Sequence, residues 1–379
     1  MILRSVFCSA ILFVFAACSP HSPSLETLPF GSLSSGDSVT LYRLTQTNGA
    51  SMEVIDYGCR IVRICVPDRN GNLTDVVVGY GDIASFETGS ERFFGALIGR
   101  YGNRINGAEF ELDGKRIHLT PNELLDGKSV HLHGGTKGFD RVMWKGEPVT
   151  EKERVGVRFR RRSPDGEEGY PGNLDCTVTY WWQPDNTCRI EYEAVTDAPT
   201  IVNLSNHTYF NLKGANGGSI MDLVMQVNAD HYLQNNTQFV PEGGPIPVAG
   251  TPFDLREPHR IDYALDRPNR QIEIMSGFSV CWVLRNSSGA LARAADLYDP
   301  NSGRGVEVWT TEPGLLTYTG RGLSEKIIGK NQIPLQQFGG MLLETLHFAD
   351  SPNRSDFPTT VLRPGERYRS VTEFRFYTK

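Results

Sequence analysis

Ala108-Glu109-Phe110-Glu111-Leu112-Asp113-Gly114-Lys115-Arg116-Ile117-His118-Leu119 decides the fold class. Apolar residues alternate with polar ones at Ala108, Phe110 and Leu112, stop at Asp113-Gly114, and resume at Ile117 and Leu119. A period of two places the apolar set on one face of a strand. Asp-Gly supplies the positive φ that a two-residue type I′ turn requires. The stretch is a β-hairpin, and the same pattern repeats on both sides of it. Val39, Leu41 and Tyr42 lead to Asn48-Gly49, with Met52, Val54 and Ile55 beyond. Ile61 to Val66 leads to Asn70-Gly71 and then to Val76-Val77-Val78. Val155, Val157 and Phe159 form another strand, and Leu174, Cys176, Val178 and Tyr180 face Ile190 and Tyr192 across a turn at Pro184-Asp185-Asn186. Leu223, Met225 and Val227, then Val306 and Val308, then Phe374 and Phe376 continue the alternation. No segment holds a helical period for more than about three turns; short helices are expected only over 82–89 and 349–353. A count of 39 Gly and 22 Pro suits many turns. The expected class is all-β, a large antiparallel sandwich or barrel. Neither a repeat nor a low-complexity linker interrupts the chain after residue 26, so one β domain over 35–379 is preferred to two.

Residues 1–18 stand apart from this pattern. Arg4 is their only charge, and Val6, Phe7 and the run Ile11 to Phe15 are followed by Ala16-Ala17-Cys18-Ser19. A cationic start, a short apolar core and small residues describe a secretory signal peptide, too short to span a bilayer. Cys18 directly after Ala16-Ala17 resembles a bacterial lipobox, in which that cysteine is lipidated and becomes the mature N-terminus. Residues 19–34, beginning Ser-Pro-His-Ser-Pro-Ser, are expected to be a tether. The expected location is therefore exported, periplasmic or at the cell surface, with the membrane engaged only through an N-terminal lipid.

The formal charge is −6, and taking away the single positive charge of residues 1–18 leaves −7. A mildly acidic chain with no basic run argues against a nucleic-acid partner. Cys59, Cys65, Cys176, Cys188 and Cys281 remain beyond the leader. An odd set leaves at least one thiol unpaired within the chain. A tight turn near Asn186 would set Cys188 opposite about residue 181, so no Cys176–Cys188 bridge is expected. No Cys-x-x-Cys or His-x-x-x-His cluster suggests a metal site.

Five polar constellations interrupt the strands. In Ile201-Val202-Asn203-Leu204-Ser205-Asn206-His207-Thr208-Tyr209-Phe210-Asn211-Leu212-Lys213 an apolar strand runs into a corner at Asn206-His207-Thr208. A histidine among amides and hydroxyls can be held in one tautomer, as a proton donor or acceptor must be. Gly95 to Ile105 is glycine-rich and carries Arg100, Asn103 and Arg104, a backbone able to approach a ligand and donors for hydroxyls. His131 and His133, at i and i+2, would point the same way on a strand. No carboxylate or cysteine partner accompanies them, so a metal is not expected. Thr251-Pro252-Phe253-Asp254-Leu255-Arg256 displays an acid beside an aromatic. Leu342-Leu343-Glu344-Thr345 carries Glu344 out of an apolar strand, where partial desolvation would raise its pKa toward that of a general base.

Together these stretches resemble the galactose mutarotase (aldose 1-epimerase) family. The resemblance is carried by Ile98-Gly99-Arg100 with Asn103-Arg104-Ile105, and by His133-Gly134-Gly135 with Gly138-Phe139-Asp140. It continues through Ser163-Pro164-Asp165-Gly166-Glu167-Glu168-Gly169-Tyr170-Pro171-Gly172, Asn203 to Leu212, Thr251 to Arg256, and Glu344-Thr345. The motifs occur in the family's order and cover roughly residues 35 to 379. The resemblance implies a galactose mutarotase-like supersandwich with a shallow open cleft. It implies His207 as acid and Glu344 as base, with Asn103, Arg104, His133, Tyr209 and Asp254 on the sugar hydroxyls. Two departures stand out. Ser279-Val280-Cys281 follows Gly277-Phe278 where the family usually shows an Asp-His-Asn-like run, and Glu312 stands where many relatives carry Gln. Both departures are expected to touch the cleft, and Glu312 is placed among the substrate-binding groups.

The implied reaction is interconversion of the α and β anomers of free hexoses such as galactose and glucose. The O1 proton leaves as the ring oxygen gains one, the C1–C2 bond rotates, and the roles reverse on closure. One acid and one base suffice, each contributing ~10²–10⁴-fold, and neither metal nor cofactor is required. A carboxylate such as Asp254 near His207 would raise its pKa. Trp144, Tyr209 and Phe253 offer flat faces for stacking, core packing being the expectation for Trp144. The partner is thus a monosaccharide, with the protein a monomer or weak dimer. Two other readings compete: a glycoside hydrolase using Asp254 with Glu344 as its carboxylate pair, and a non-catalytic sugar-binding surface lipoprotein. A hexose-phosphate epimerase would want several convergent cations, and Arg104 alone is expected near the site.

Overall fold

The hairpin at Asp113-Gly114 is present in the computed structural model, which describes residues 22–286 and 288–379. Glu109–Leu112 pairs with Lys115–His118, Leu112 opposite Lys115. Asp113 and Gly114 both have positive φ, 52° and 74°, the conformation a type I′ turn needs.

Two large antiparallel sheets form the centre, beside a five-stranded sheet built from Ser24–Ser32, Ser38–Thr45, Ser51–Ile55, Arg60–Pro67 and Leu73–Asp75 and several smaller pairings. Nine strands run in the order Lys145–Glu151, Arg154–Ser163, Leu174–Trp182, Thr187–Thr196, Tyr368–Thr378, Arg304–Thr310, Ala292–Tyr298, Val224–Val227 and His259–Arg260. Seven run in the order Ile246–Pro247, Ala229–Leu233, Ser279–Leu284, Gly314–Tyr318, Met341–Leu346, Tyr209–Phe210 and Val77–Val78. Alternation decides how they face. Val178, Ile190, Val306, Val308 and Phe374 of the larger sheet share one buried cluster with Val280, Trp282, Leu315, Met341 and Leu343 of the smaller. The sheets therefore close on each other as a sandwich. Residues one position along, Ser279, Cys281, Leu316, Leu342 and Glu344, turn to the opposite face of the seven-stranded sheet. That outer face carries the site.

Where structure and sequence reading differ, the cause is local. The Asn48-Gly49 hairpin closes through a longer loop, Thr45 pairing with Ser51. Val77–Val78 leaves its neighbours to pair with Tyr209–Phe210. The single strand expected after Ile201 is three two-residue pieces, Thr200–Ile201, Ser205–Asn206 and Tyr209–Phe210, each on a different partner. The tether expected over 19–34 must be shortened, because Ser24–Ser32 is a strand paired with Ser38–Thr45. Ile83–Thr88 is the expected helix, capped by Asp82 accepting from the Ser85 amide; the second is only a 3₁₀ turn, Ser351–Asn353. Two short helices, Ile261–Leu265 and Arg270–Met275, were not anticipated. Cys188 pairs across from Trp182 and Cys176 from Ala194, so the two thiols stay apart; the five described cysteines are unbridged. Among the described residues no helix is long and apolar enough to cross a membrane. Cys18 lies outside the described residues.

Candidate active site

The outer face of the seven-stranded sheet floors an open hollow of about 340 Å³, lined by Leu316, Tyr318 and Leu342 with His133, His207 and Tyr209. Glu344 is two residues beyond Leu342 and directly across from Leu316, so its carboxyl rises into the same place. It is completely buried, and among the described residues neither carboxyl oxygen has a hydrogen-bond partner. His133, His207 and Glu344 bring one polar atom each to within 4.8 Å of one another. This juxtaposition joins three segments far apart in the chain.

Each histidine is held by its own local fold. His207 follows Ser205–Asn206, which pairs with Leu97–Ile98. Its amide donates to Ala96 O, and its carbonyl accepts from the Gly95 amide. The neighbouring side chains do not fix its tautomer as expected. Asn206 donates to Gly95 O, Thr208 donates to Asn206 Oδ1, and His207 Nδ1 is buried without a partner. Rings hold it instead: Phe93, His133 and Tyr209 lie with centroids 5.5, 5.1 and 5.3 Å away. His133 leaves the strand Lys128–Leu132 with a positive φ of 50°. It therefore does not share a direction with His131, whose ring bonds Thr120 O and Tyr170 Oη inside the protein. The expectation that the two histidines point the same way fails for this reason.

Asn103 acts behind His133 rather than in the hollow. Its backbone N–H donates to His133 Nδ1 at 3.1 Å, and its carbonyl accepts from the His133 amide. A backbone amide can only donate, so Nδ1 must accept and the neutral ring carries its proton on Nε2. A nitrogen that carries a proton is a donor for a sugar oxygen and not a metal ligand. His133, His207 and Glu344 are nonetheless the described group whose atom types could hold a metal ion.

Burial sets the charges. It pushes Glu344 up to about 8 and His207 down to about 3. His133 is driven well below the usual imidazole range by burial, then by its neighbours His207, Arg104 and Arg92. Near neutral pH the site thus holds one proton on Glu344 and two neutral rings. The expectation that a carboxylate would raise His207 is overturned, because Asp254 is elsewhere. It grips Arg256 with both oxygens at 2.7 Å, in a separate surface hollow with Glu257, His259 and Arg267. Its place among the sugar-binding residues, and its pairing with Glu344 as a glycosidase dyad, go with it. Glu312 is also displaced: it is buried, with Oε2 on His347 Nδ1 at 2.6 Å and Oε1 near Tyr368 Oη. Phe253 sits in the core against Tyr232 and Phe278, and Trp144 packs on Phe139.

Arg104 and Tyr209 line the hollow as expected. Arg104 spends its guanidinium on both oxygens of Glu123 and lies over the Phe239 ring. Glu91, Phe93, Glu123, Phe239 and Arg321 also line it and were not singled out. The departure at Ser279 was the one signal available, and it does touch the cleft. Arg100 is structural: it donates to Ser163 Oγ and to the carbonyls of Ser163, Pro164, Pro171 and Gly172. The nearby glycines serve close backbone crossings, since a Cβ at Gly134 would meet Gly99 O at 1.7 Å.

Residues 40–375 match the family model described as Aldose 1-epimerase. Galactose mutarotase of Homo sapiens is 38% identical over 93% of this chain and 98% of its own length. Aldose 1-epimerase of Escherichia coli strain K12 is 33% identical over 88% of this chain and 95% of its own. The crystal structure of galactose 1-epimerase from Lactobacillus acidophilus NCFM superposes with a TM-score of 0.82 at 27% identity, covering 94% of this chain and 99% of that one.

Proposed function

The chain belongs to the aldose 1-epimerase family, and from that premise we propose that Glu344 and His207 exchange protons with the anomeric hydroxyl and the ring oxygen of a bound aldose. The enzyme interconverts the α and β anomers of free sugars; galactose and glucose are the proposed substrates. One observation carries the assignment of residues. Two buried titratable groups, both with unpartnered polar atoms, meet within 4.8 Å in a hollow open to solvent.

Ring opening needs one proton donor and one acceptor, and the pair holds a single proton between them. Burial keeps that proton on Glu344. A sugar O1–H donating to the carboxyl, and a ring oxygen accepting from the imidazole, stabilise the charged forms of both. Glu344 then serves as base and His207 as acid. After the C1–C2 bond rotates, the two exchange roles and the ring closes on the other face. His133 Nε2–H and Arg104 are proposed to hold sugar oxygens, with Tyr209 forming the wall against His207. Polarimetry of freshly dissolved α-galactose and α-glucose tests this. Glu344→Gln and His207→Asn should each lower the catalysed rate ~10²–10⁴-fold. Wild-type rates in both variants would overturn the assignment.

We also propose export and lipid attachment at Cys18, supported by Arg4, the apolar run Ile11 to Phe15 and Ala16-Ala17. The strand starting at Ser24 leaves only a short link between that cysteine and the fold.

A further inference from the structure

Three arginines line the hollow, and two are already spent. Arg92 is held by both oxygens of Asp140, and Arg104 by both oxygens of Glu123. Arg321 differs. Among the described residues no carboxylate lies against it, and its Nε is buried with no hydrogen-bond partner. Its backbone is firmly placed just past the strand Gly314–Tyr318. Thr319 donates to Phe278 O, Gly320 O accepts from Leu323 and Phe338, and Arg321 O accepts from Gln337 Nε2. A guanidinium fixed at its root, unpaired at its head and facing a polar hollow lacks a counter-charge that a ligand can supply.

We infer that Arg321 is a specificity-determining residue that receives a carboxylate, so that the substrates of this site include aldohexuronates, whose acid group binds Arg321 while the hemiacetal lies between His207 and Glu344. The inference rests on the acid–base reading of those two residues. A carboxylate suits one arginine, because the planar fork meets both its oxygens. A phosphate dianion would want several free cations, and Arg92 and Arg104 are neutralised. A hydroxyl would occupy a single donor and leave the charge without a partner. The remaining carboxyl on the hollow, Glu91, has an oxygen on the Phe93 amide at 3.4 Å. Burial raises it to about 7, so it is only partly ionised around neutral pH and makes no ion pair with Arg321.

Polarimetry on α-galacturonate and α-galactose, with wild type, Arg321→Gln and Arg321→Lys, tests this. The readout is the ratio of kcat/KM for the acid sugar to that for the neutral one. Wild type should accelerate both sugars. Arg321→Gln should cut the ratio about tenfold or more, the loss expected for a charge-assisted pair, and Arg321→Lys should fall between. A ratio unchanged in Arg321→Gln, or wild type that accelerates galactose but not galacturonate, overturns the role of Arg321 and leaves the acid–base pair standing. Wild type inert on both sugars overturns the acid–base reading itself. Should Arg321→Gln fail to fold, titration calorimetry on Glu344→Gln decides. Galacturonate should bind more tightly than galactose, with an advantage that shrinks as salt is added; equal or weaker binding overturns the inference.

Discussion

Replacing Glu344 by Gln should stabilise the folded protein near neutral pH while removing its activity. The carboxyl is wholly buried, and burial raises it from 4.5 to about 8. Between those two values the unfolded chain releases the proton and the folded chain keeps it. Folding therefore costs progressively more as pH rises through this window, which is the opposite of the usual carboxylate behaviour. Linkage over that shift gives a penalty of about 1 kcal/mol at pH 5 and about 4 kcal/mol at pH 7.5. Glutamine has no proton to lose. Its own cost as a buried amide is the same at both pH values, and so are contributions from other titrating groups shared by the two proteins. The stability of Glu344→Gln relative to wild type should thus increase by about 3 kcal/mol between pH 5 and pH 7.5. Urea unfolding followed by the fluorescence of the buried Trp182 and Trp282 measures it. A difference that stays constant with pH would mean that the carboxyl is ionised in the fold, and the one-proton description of the site would fall.

Other outcomes follow from the same geometry. Wild-type kcat/KM should fall above about pH 8, where Glu344 gives up the shared proton, yet persist through pH 5 because His207 gains a second proton only at about 3; an acid limb near 6.5 would show an imidazole titrating as it does in water. Asp254→Asn should leave mutarotation within about twofold of wild type, since Asp254 is held by Arg256 in a separate surface hollow; a loss of tenfold or more would bring Asp254 back to the cleft. Arg100→Met should destabilise by about 3 kcal/mol or more, as it strands several buried carbonyls at once; urea midpoints check this. Growth with a labelled fatty acid should mark the chain and not its Cys18→Ala variant, and equal labelling of both would rule out attachment there.

Much of the fold was legible because strand signals are local. Asp113-Gly114 specifies its hairpin through two dihedral angles. The alternation in Leu342-Leu343-Glu344 already states that Glu344 and Leu343 face opposite ways. What stayed hidden were pairings that no local pattern encodes. Val77–Val78 reads as a continuation of the strands before it, which end at Asp75 in a five-stranded sheet, yet it pairs with Tyr209–Phe210 in the seven-stranded sheet. His131 and His133 read as neighbours on one face, but a single positive φ at His133 turns its ring into the hollow. Backbone conformation at a non-glycine residue leaves almost no trace in composition.

The acid and base were legible for a different reason from the residues that surround them. His207 and Glu344 stand out as polar groups where an apolar pattern breaks, and their burial follows from that pattern. Asp254 also stood beside an aromatic in a turn, yet Arg256 two positions on claims both its oxygens. Glu312 is likewise consumed by His347, a partner 35 positions away. Arg321 shows the converse: nothing near it in sequence marks it, and its interest lies wholly in having no partner. A charged residue's function depends on which opposite charge reaches it first, and that competition is settled only when distant strands are brought together.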